Sequence, residues 1–159
     1  MPLVSAGLLL YRQRAGGLEV FLVHPGGPFW KNKDDGVWSI PKGLTDGDEA
    51  LLAAARREFQ EETGTALAAA DEAFIPLGEV VQKGGKRVVA WAVAGDLDAD
   101  HITSNTYAVQ WPKGTWRRYP EVDRAAWYDV ATARRKILAA QAAFLDRLLA
   151  HVERKGDEG

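Results

Sequence analysis

Apolar runs near the start of the chain predict β-strands. The first run is Leu3–Tyr11 and the second is Val20–His24, with the polar turn Gly16–Gly17 between them. Branched apolar runs separated by a glycine turn are typical of a β-hairpin. Pro25–Pro28 then ends regular structure, and Trp38–Ile40 is expected to form a short strand at most.

Helical spacing is clearest between Asp46 and Glu62. Either Asp46 or Asp48 can cap the N-terminus of this helix, and Gly64 can end it. Apolar side chains three and four positions apart give the helix one apolar face. They are Leu51, Leu52, Ala55 and Phe59.

Strands and then a helix are expected in the second half of the chain. Phe74–Gln82 and Arg87–Val93 predict a second hairpin, while Ser104–Trp111 and Arg124–Asp129 predict shorter strands. From Val130 the pattern becomes helical and predicts a C-terminal helix over about 139–154. Its apolar stripe comprises Ile137, Phe144, Leu145, Leu148, Leu149 and Val152.

The order of these elements predicts an α/β (α+β) fold in which a mixed sheet lies between helices. The chain has 159 residues and no repeat or linker, so we expect one domain over 1–159.

Composition narrows the classes of function. A formal charge of −2 disfavours a nonspecific nucleic-acid coat protein, so no stable nucleic-acid partner is expected. The chain has no cysteine, which excludes thiolate metal sites and cysteine nucleophiles. No run approaches the ~20 apolar residues of a membrane helix, and the N-terminus lacks a signal-peptide pattern. We therefore expect a cytoplasmic protein without a membrane partner, and the oligomeric state stays open.

Three carboxylates break the pattern of the helix that ends near Glu62. At about 100° per residue, Glu62 falls inside the apolar stripe and Glu58 falls at its edge. Glu58, Glu61 and Glu62 are close neighbours on the helix, so their charges repel. The last helical turn also disfavours negative charge because of the helix dipole. Coinciding violations of this kind indicate a functional site.

A divalent cation would offset all three penalties at once. Ligands that are all oxygen favour Mg²⁺, with Mn²⁺ as the alternative. A solvated acidic helix end, with Arg56 and Arg57 as counterions, is the structural alternative for the same residues.

The same helix carries a recognisable motif. Gly43, Glu49, Arg57–Phe59, Glu61–Glu62 and Gly64 match eight of the nine specified positions of the pattern G-x5-E-x7-R-E-U-x-E-E-x-G-U, in which U is apolar. Thr65 is polar at the ninth position. The pattern is the Nudix box, so the chain resembles the Nudix hydrolase family over Gly43–Thr65, with the order of elements agreeing over nearly the whole chain.

The resemblance implies a Nudix fold and hydrolysis of a nucleoside diphosphate linked to another group, with Mg²⁺ or Mn²⁺. It implies Glu58 and Glu62 as principal metal ligands, and Glu61 as a further ligand or water holder. The backbone carbonyl of Gly43 is expected to join the metal shell. Arg57 and Glu49 resemble the pair that orients the ligating carboxylates.

A later acidic residue also resembles the family. Glu121 lies six residues before Trp127, a spacing at which many Nudix proteins carry a further metal ligand or the general base. A solvated loop acid is the alternative, and Glu79 and Asp123 are rivals for the base.

Two segments suggest the class of substrate. Trp38–Gly43 resembles the Trp-x-x-Pro-Lys-Gly segment of Nudix dinucleoside polyphosphate and diphosphoinositol polyphosphate hydrolases, which would let Lys42 contact a phosphate. Leu44 and Thr45 stand where those relatives usually have His or Glu. Together with Pro25–Pro28, the segment also resembles a bacterial Nudix subgroup described as NTP pyrophosphohydrolases.

Two basic clusters are candidates for binding the polyphosphate. One is Lys83, Lys86 and Arg87, and the other is Lys113, Arg117 and Arg118. Ordinary solubilising surface charge is the alternative. Trp116 and Trp111 are candidates for stacking on a base, whereas His24 is expected to have a capping or structural role.

The expected function is that of a Mg²⁺-dependent pyrophosphohydrolase acting on a dinucleoside polyphosphate or a nucleoside triphosphate. The alternatives are a diphosphoinositol polyphosphate hydrolase and a non-catalytic nucleotide sensor or RNA-binding module on a Nudix fold.

Overall fold

The computed structural model describes residues 4–158, so Leu3 lies outside the described residues. The strands in this part of the chain are β1 (Val4–Arg14), β2 (Gly17–Pro25), β3 (Lys42–Leu44), β4 (Ile75–Gln82), β5 (Lys86–Ala94), β6 (Thr106–Gln110), β7 (Trp116–Pro120) and β8 (Val122–Asp129).

The α-helices of the described residues are α1 (Leu51–Thr63), α2 (Val130–Lys136) and α3 (Ala142–Glu158). Single 3₁₀ turns occur at 71–73, 99–101 and 139–141. No helix over residues 4–158 is long and apolar enough to cross a membrane.

Six of the strands form one mixed sheet in the order β4-β5-β1-β2-β8, with β3 paired to the first half of β1. The central pair β1–β5 is parallel, and the other neighbours are antiparallel. Strands β6 and β7 form a separate hairpin. The predicted first and second hairpins, β1–β2 and β4–β5, are therefore both present.

The sheet is covered on both faces, because apolar side chains alternate along its central strands. Leu8 and Leu10 of β1 pack with Phe59 of α1. Leu9 faces the other side and belongs to the core that contains Phe144 of α3. This confirms the predicted mixed sheet between helices.

Helix α1 begins later than its sequence indicates. Its N-cap is Ala50, whose side chain makes no capping hydrogen bond, so neither Asp46 nor Asp48 caps it. The amide of Glu49 instead donates to the Asp46 carbonyl over 2.7 Å, which makes a turn before the helix. The predicted end is confirmed, since Gly64 adopts the left-handed conformation with φ of 81°.

Two short strands are not predicted from the sequence. Trp38–Ile40 makes only isolated bridges, and the strand lies just after it at β3, where Lys42 pairs with Gly7. The basic segment before Tyr119 was not predicted as a strand but forms β7. Pairing with the distant strand β1 decides the first case, and pairing with the neighbouring β6 decides the second. The local residue pattern shows neither.

One outer edge of the sheet is occupied by a side chain. Strand β4 is the edge strand, and its register slips between Pro76 and Gly78, leaving Leu77 as a bulge. Arg147 of α3 donates to the carbonyls of Leu77 and Glu79 over 2.8 and 2.9 Å. Two backbone acceptors of this edge are therefore satisfied within the chain.

Candidate active site

A cavity of about 430 Å³ lies where β3 meets the last turns of α1. We call it the acidic cavity. Its charged lining residues are Lys42, Glu58, Glu61, Lys86 and Glu121. These residues come from β3, α1, β5 and the segment between β7 and β8. The pairing of both β3 and the start of β5 with the first half of β1 brings Lys42 and Lys86 to the same end of the sheet.

The carboxylates of α1 differ in their exposure to water. Glu58 is 8% exposed and Glu62 is 6% exposed, whereas Glu61 is only half-buried. The helical spacing predicts this burial. Burial raises the pKa of Glu58, and the neighbouring Glu61 raises it further, while Arg57 opposes the change.

Glu62 lies one residue beyond Glu61 on the same helix and has a strongly perturbed carboxyl group. Its burial raises the pKa of the carboxyl to about 8, although the nearby Lys42 ammonium acts in the opposite direction. Burial in turn lowers the pKa of Lys42. Because its ionised form is poorly compensated, Glu62 would gain from a cation bound beside it.

Arg57 connects the acidic residues of the helix to the loop before it. Its Nε and Nη2 donate to the two carboxylate oxygens of Glu49, each over 2.9 Å. Its Nη1 donates to Glu58 and Glu61 over 2.9 and 3.1 Å, and Nη2 also reaches the Leu44 carbonyl at 3.2 Å. The predicted pairing of Arg57 with Glu49 is present in bidentate form.

Gly43 allows the Glu58 carboxylate to lie directly against the backbone of β3. A Cβ atom at this position would stand 2.0 Å from Glu58 Oε2. Only a residue without a side chain leaves room for this approach.

We expect Gly43→Ala to reduce turnover by at least about 10-fold, because it displaces the Glu58 carboxylate from the cavity. The displaced atoms are the end of a flexible side chain, so the melting temperature should change by only a few degrees. Steady-state assays and thermal unfolding measure both effects. The control is Gly16→Ala, where the new Cβ meets nothing within 4 Å; equal losses of turnover in the two variants would contradict the role of Gly43.

The donor set fits a hard divalent cation, although the groups are not already gathered around one point. Among residues 4–158, no three acidic or histidine side chains form a ready cluster for a metal ion. Arg57 Nη1 instead bridges Glu58 and Glu61. The available ligands are nevertheless all oxygen, and the burial of Glu58 and Glu62 favours a bound cation.

Glu121 reaches the cavity from the segment between β7 and β8. Its amide donates to the Asn105 carbonyl, and its own carbonyl accepts from the Gly26 amide, each over 2.9 Å. Partial loss of hydration raises the pKa of its carboxyl, and Glu61 raises it further. Hydrogen bonds thus hold both the amide and the carbonyl of Glu121 in place.

The two predicted basic clusters do not converge on the acidic cavity. Lys42 and Lys86 line it. Arg87 instead pairs with Glu79 over 2.6 Å, and Lys83 lies exposed in the β4–β5 turn.

The second basic cluster lies on the β6–β7 hairpin. Arg118 donates to the Thr106 hydroxyl across the hairpin, and Trp116 is 68% exposed. Neither residue is among those lining the acidic cavity.

A second cavity of about 260 Å³ adjoins the acidic cavity and shares Lys42 and Glu121 with it. We call it the Trp30 cavity. Trp30, which is 37% exposed, and Leu138 contribute to its apolar side, and Glu62 contributes to its polar side. Sequence reasoning missed Trp30, because its loop position is opposite Glu121 only in the folded chain.

His24 links two segments that contribute to this cavity. Its ring is fully buried, with Nδ1 2.8 Å from a carboxylate oxygen of Asp123 and Nε2 2.6 Å from the Lys33 carbonyl oxygen. His24 thereby ties the loop carrying Trp30 to the segment carrying Glu121, in line with the expected structural role.

Comparison with known proteins gives a consistent family and fold. A model of the NUDIX domain matches residues 1–148. Comparison with curated proteins gives no significant match.

Solved structures with the same fold include a C. elegans Ap4A hydrolase in a binary complex, with 22% identity, a TM-score of 0.64 and coverage of 95% of this chain and 98% of that one. The NUDIX domain of Shewanella oneidensis NrtR complexed with ADP ribose has 17% identity, a TM-score of 0.66 and coverage of 96% and 89%. A MutT protein from Methanosarcina mazei Go1 has 18% identity, a TM-score of 0.61 and coverage of 94% and 95%. The match of the family model over nearly the whole chain shows that the protein belongs to the Nudix hydrolase family.

Proposed function

We propose that the protein is a Mg²⁺-dependent pyrophosphohydrolase that cleaves a phosphoanhydride bond in a nucleoside polyphosphate. The burial of the Glu58 and Glu62 carboxylates beside a cavity with two lysines carries the proposal. Buried acids without an equal number of cations are costly unless a metal ion joins them. A polyphosphate brings further negative charge, which requires that ion as well.

Glu58, Glu61 and Glu62, together with the Gly43 carbonyl, are the groups that would hold the metal. When bound, Mg²⁺ withdraws charge from the phosphate oxygens and lowers the pKa of a coordinated water. Mn²⁺ is compatible with the same oxygen ligands. Arg57 keeps the carboxylates in place through its hydrogen bonds to Glu58 and Glu61.

The remaining groups of the acidic cavity have separate tasks. Lys42 and Lys86 pair with phosphate oxygens. Glu121 accepts the proton of the attacking water at its carboxylate, a role favoured by its raised pKa and its place at the cavity wall. The products are two phosphorylated fragments.

The Trp30 cavity supports a nucleoside as one part of the substrate. Its apolar side chains and the indole of Trp30 suit the faces of a base, and Ser39 and Lys42 offer polar contacts nearby. The shared wall at Lys42 and Glu121 keeps a base in this cavity close to phosphates in the acidic cavity.

Charge in the acidic cavity disfavours the diphosphoinositol alternative. A polyphosphorylated inositol needs a dense basic pocket, whereas the described residues give this cavity two lining cations, Lys42 and Lys86. The complete set of Glu58, Glu61 and Glu62 disfavours a pure sensor, because binding alone does not need that cluster.

The test is incubation of the protein with Mg²⁺ and a panel of substrates, followed by chromatography of the products. The panel contains diadenosine tetraphosphate, nucleoside triphosphates, ADP-ribose and a diphosphoinositol phosphate. We expect cleavage of a nucleoside polyphosphate that EDTA abolishes. Tight binding without any cleavage would overturn the proposal in favour of a sensor, and cleavage of the inositol compound alone would replace the substrate class.

A further inference from the structure

A third cavity of about 470 Å³ has no part in the function proposed above. We call it the Trp111 cavity, since Trp111 of the β6–β7 turn forms one wall. Tyr119, Lys31, Gly27 and Pro120 form other parts of its lining. Its lining therefore combines two aromatic residues with a lysine.

The Trp111 cavity and the acidic cavity share a wall of backbone. Pro120 lines the former and is directly followed by Glu121, which lines the latter. On the facing segment, the Gly26 carbonyl accepts a hydrogen bond of 2.6 Å from Tyr107 Oη. The Gly26 amide donates to the Glu121 carbonyl, so the two cavities flank one hydrogen-bonded partition.

Trp111 is exposed but held in place. It is 47% exposed, and its ring meets Phe29 edge-on with centroids 5.0 Å apart. Its amide donates to the Thr115 carbonyl over 2.8 Å. A large aromatic ring that is both fixed and accessible loses little conformational entropy when a ligand stacks on it.

The charges of the cavity suit the same class of ligand. Lys31 can pair with a phosphate oxygen beside the aromatic wall. Asp123 is the acidic residue of the lining, and its carboxylate already accepts a hydrogen bond from His24. An aromatic base attached to a phosphate chain satisfies both the rings and the ammonium group.

We propose that the Trp111 cavity binds the second nucleobase of a dinucleoside polyphosphate, whose first base lies in the Trp30 cavity and whose phosphates cross the acidic cavity. The inference rests on the proposed function and narrows its substrate class to compounds with a nucleoside at each end. A nucleoside triphosphate has a single base and leaves the Trp111 cavity without an occupant.

The test compares two tryptophans of the same hairpin. Trp111→Ala removes the wall of the cavity, while Trp116→Ala removes a more exposed indole that is not among its lining residues. Both variants are assayed with diadenosine tetraphosphate and with ATP in Mg²⁺. Their affinities for both compounds are measured by calorimetry with Ca²⁺ in place of Mg²⁺.

We expect Trp111→Ala to raise the KM and Kd for diadenosine tetraphosphate by about 10-fold, the usual scale of a lost base stack. The KM and Kd for ATP should change less than about 2-fold. Trp116→Ala should leave the KM and Kd for both compounds unchanged. Equal effects of Trp111→Ala on both compounds, or none on either, would overturn the inference. If the wild-type protein cleaves neither compound, the proposed function fails, and the calorimetric comparison still decides whether the second base binds.

Discussion

Glu62→Gln is expected to reduce turnover by about 100-fold to 1,000-fold or more while the protein stays folded. The substitution is nearly isosteric but removes a charged oxygen ligand from the proposed metal site. Losses of this size are typical when a group that stabilises developing charge is removed from an active site. Steady-state assays at saturating Mg²⁺ measure the loss, and circular dichroism verifies the fold.

The same variant should be more stable than the wild-type protein in metal-free buffer at alkaline pH. The pKa of Glu62 is raised from 4.5 to about 8 in the folded state. The folded protein therefore binds more protons than the unfolded chain between these values, and its stability falls as the pH rises through that window. The contribution is fully present below about pH 4.5 and lost above about pH 8. Glutamine has no such dependence, so urea unfolding should show a flatter profile, with a gain on the order of a few kcal/mol above pH 8.

Glu79→Gln is the matched control. Glu79 is a glutamate of strand β4 that is exposed and pairs with Arg87. Its variant should retain turnover and the pH profile of the wild-type protein. Unchanged turnover in Glu62→Gln would exclude Glu62 as a metal ligand, and a large loss in Glu79→Gln would make Glu79 the better candidate for the base.

Arg57→Lys should lower turnover by about 10-fold to 100-fold, the scale reported for groups that orient metal ligands. Lysine keeps the charge but cannot form the bidentate contact with Glu49 while also donating to Glu58 and Glu61. Glu58 and Glu61 would lose the hydrogen-bond donor that they share, and the apparent affinity for Mg²⁺ should weaken. Titration of activity with Mg²⁺ measures this change together with kcat.

Arg56→Lys provides the comparison one position earlier on the same helix. Arg56 donates to Asp71 and to the Leu67 carbonyl, away from the acidic cavity. Its variant should lose some stability and keep its Mg²⁺ dependence. A similar shift in Mg²⁺ affinity for both variants would mean that Arg57 acts only through general stability.

The acidic helix was predictable because its chemistry is local. Helical spacing alone places Glu62 in the apolar stripe, and a carboxylate in such a position conflicts with burial whatever the rest of the fold. The contact between Arg57 and Glu49 followed from the family motif. The roles of Glu58, Glu61 and Glu62 as ligands remain predictions until metal binding is measured.

Features that depend on distant segments could not be predicted from the pattern. The sequence pattern indicates a start of α1 that is too early. Polar residues that usually cap a helix instead form the turn from Asp46 to Glu49. Lys86 and Arg87 are adjacent in sequence, yet one lines the acidic cavity and the other pairs with Glu79. Trp30 lines a cavity together with Glu121, and His24 pairs with Asp123, although the members of each pair are about 90–100 residues apart.

The bulge at Leu77 and the two hydrogen bonds from Arg147 affect how copies of this protein behave when concentrated. An edge strand with free carbonyls is a template onto which another chain can add a strand, and from which aggregation can grow. Here α3 supplies the donors that an incoming strand would offer, and the bulge disturbs the register that such a strand would need. These contacts hinder strand addition at the Leu77–Glu79 part of the β4 edge.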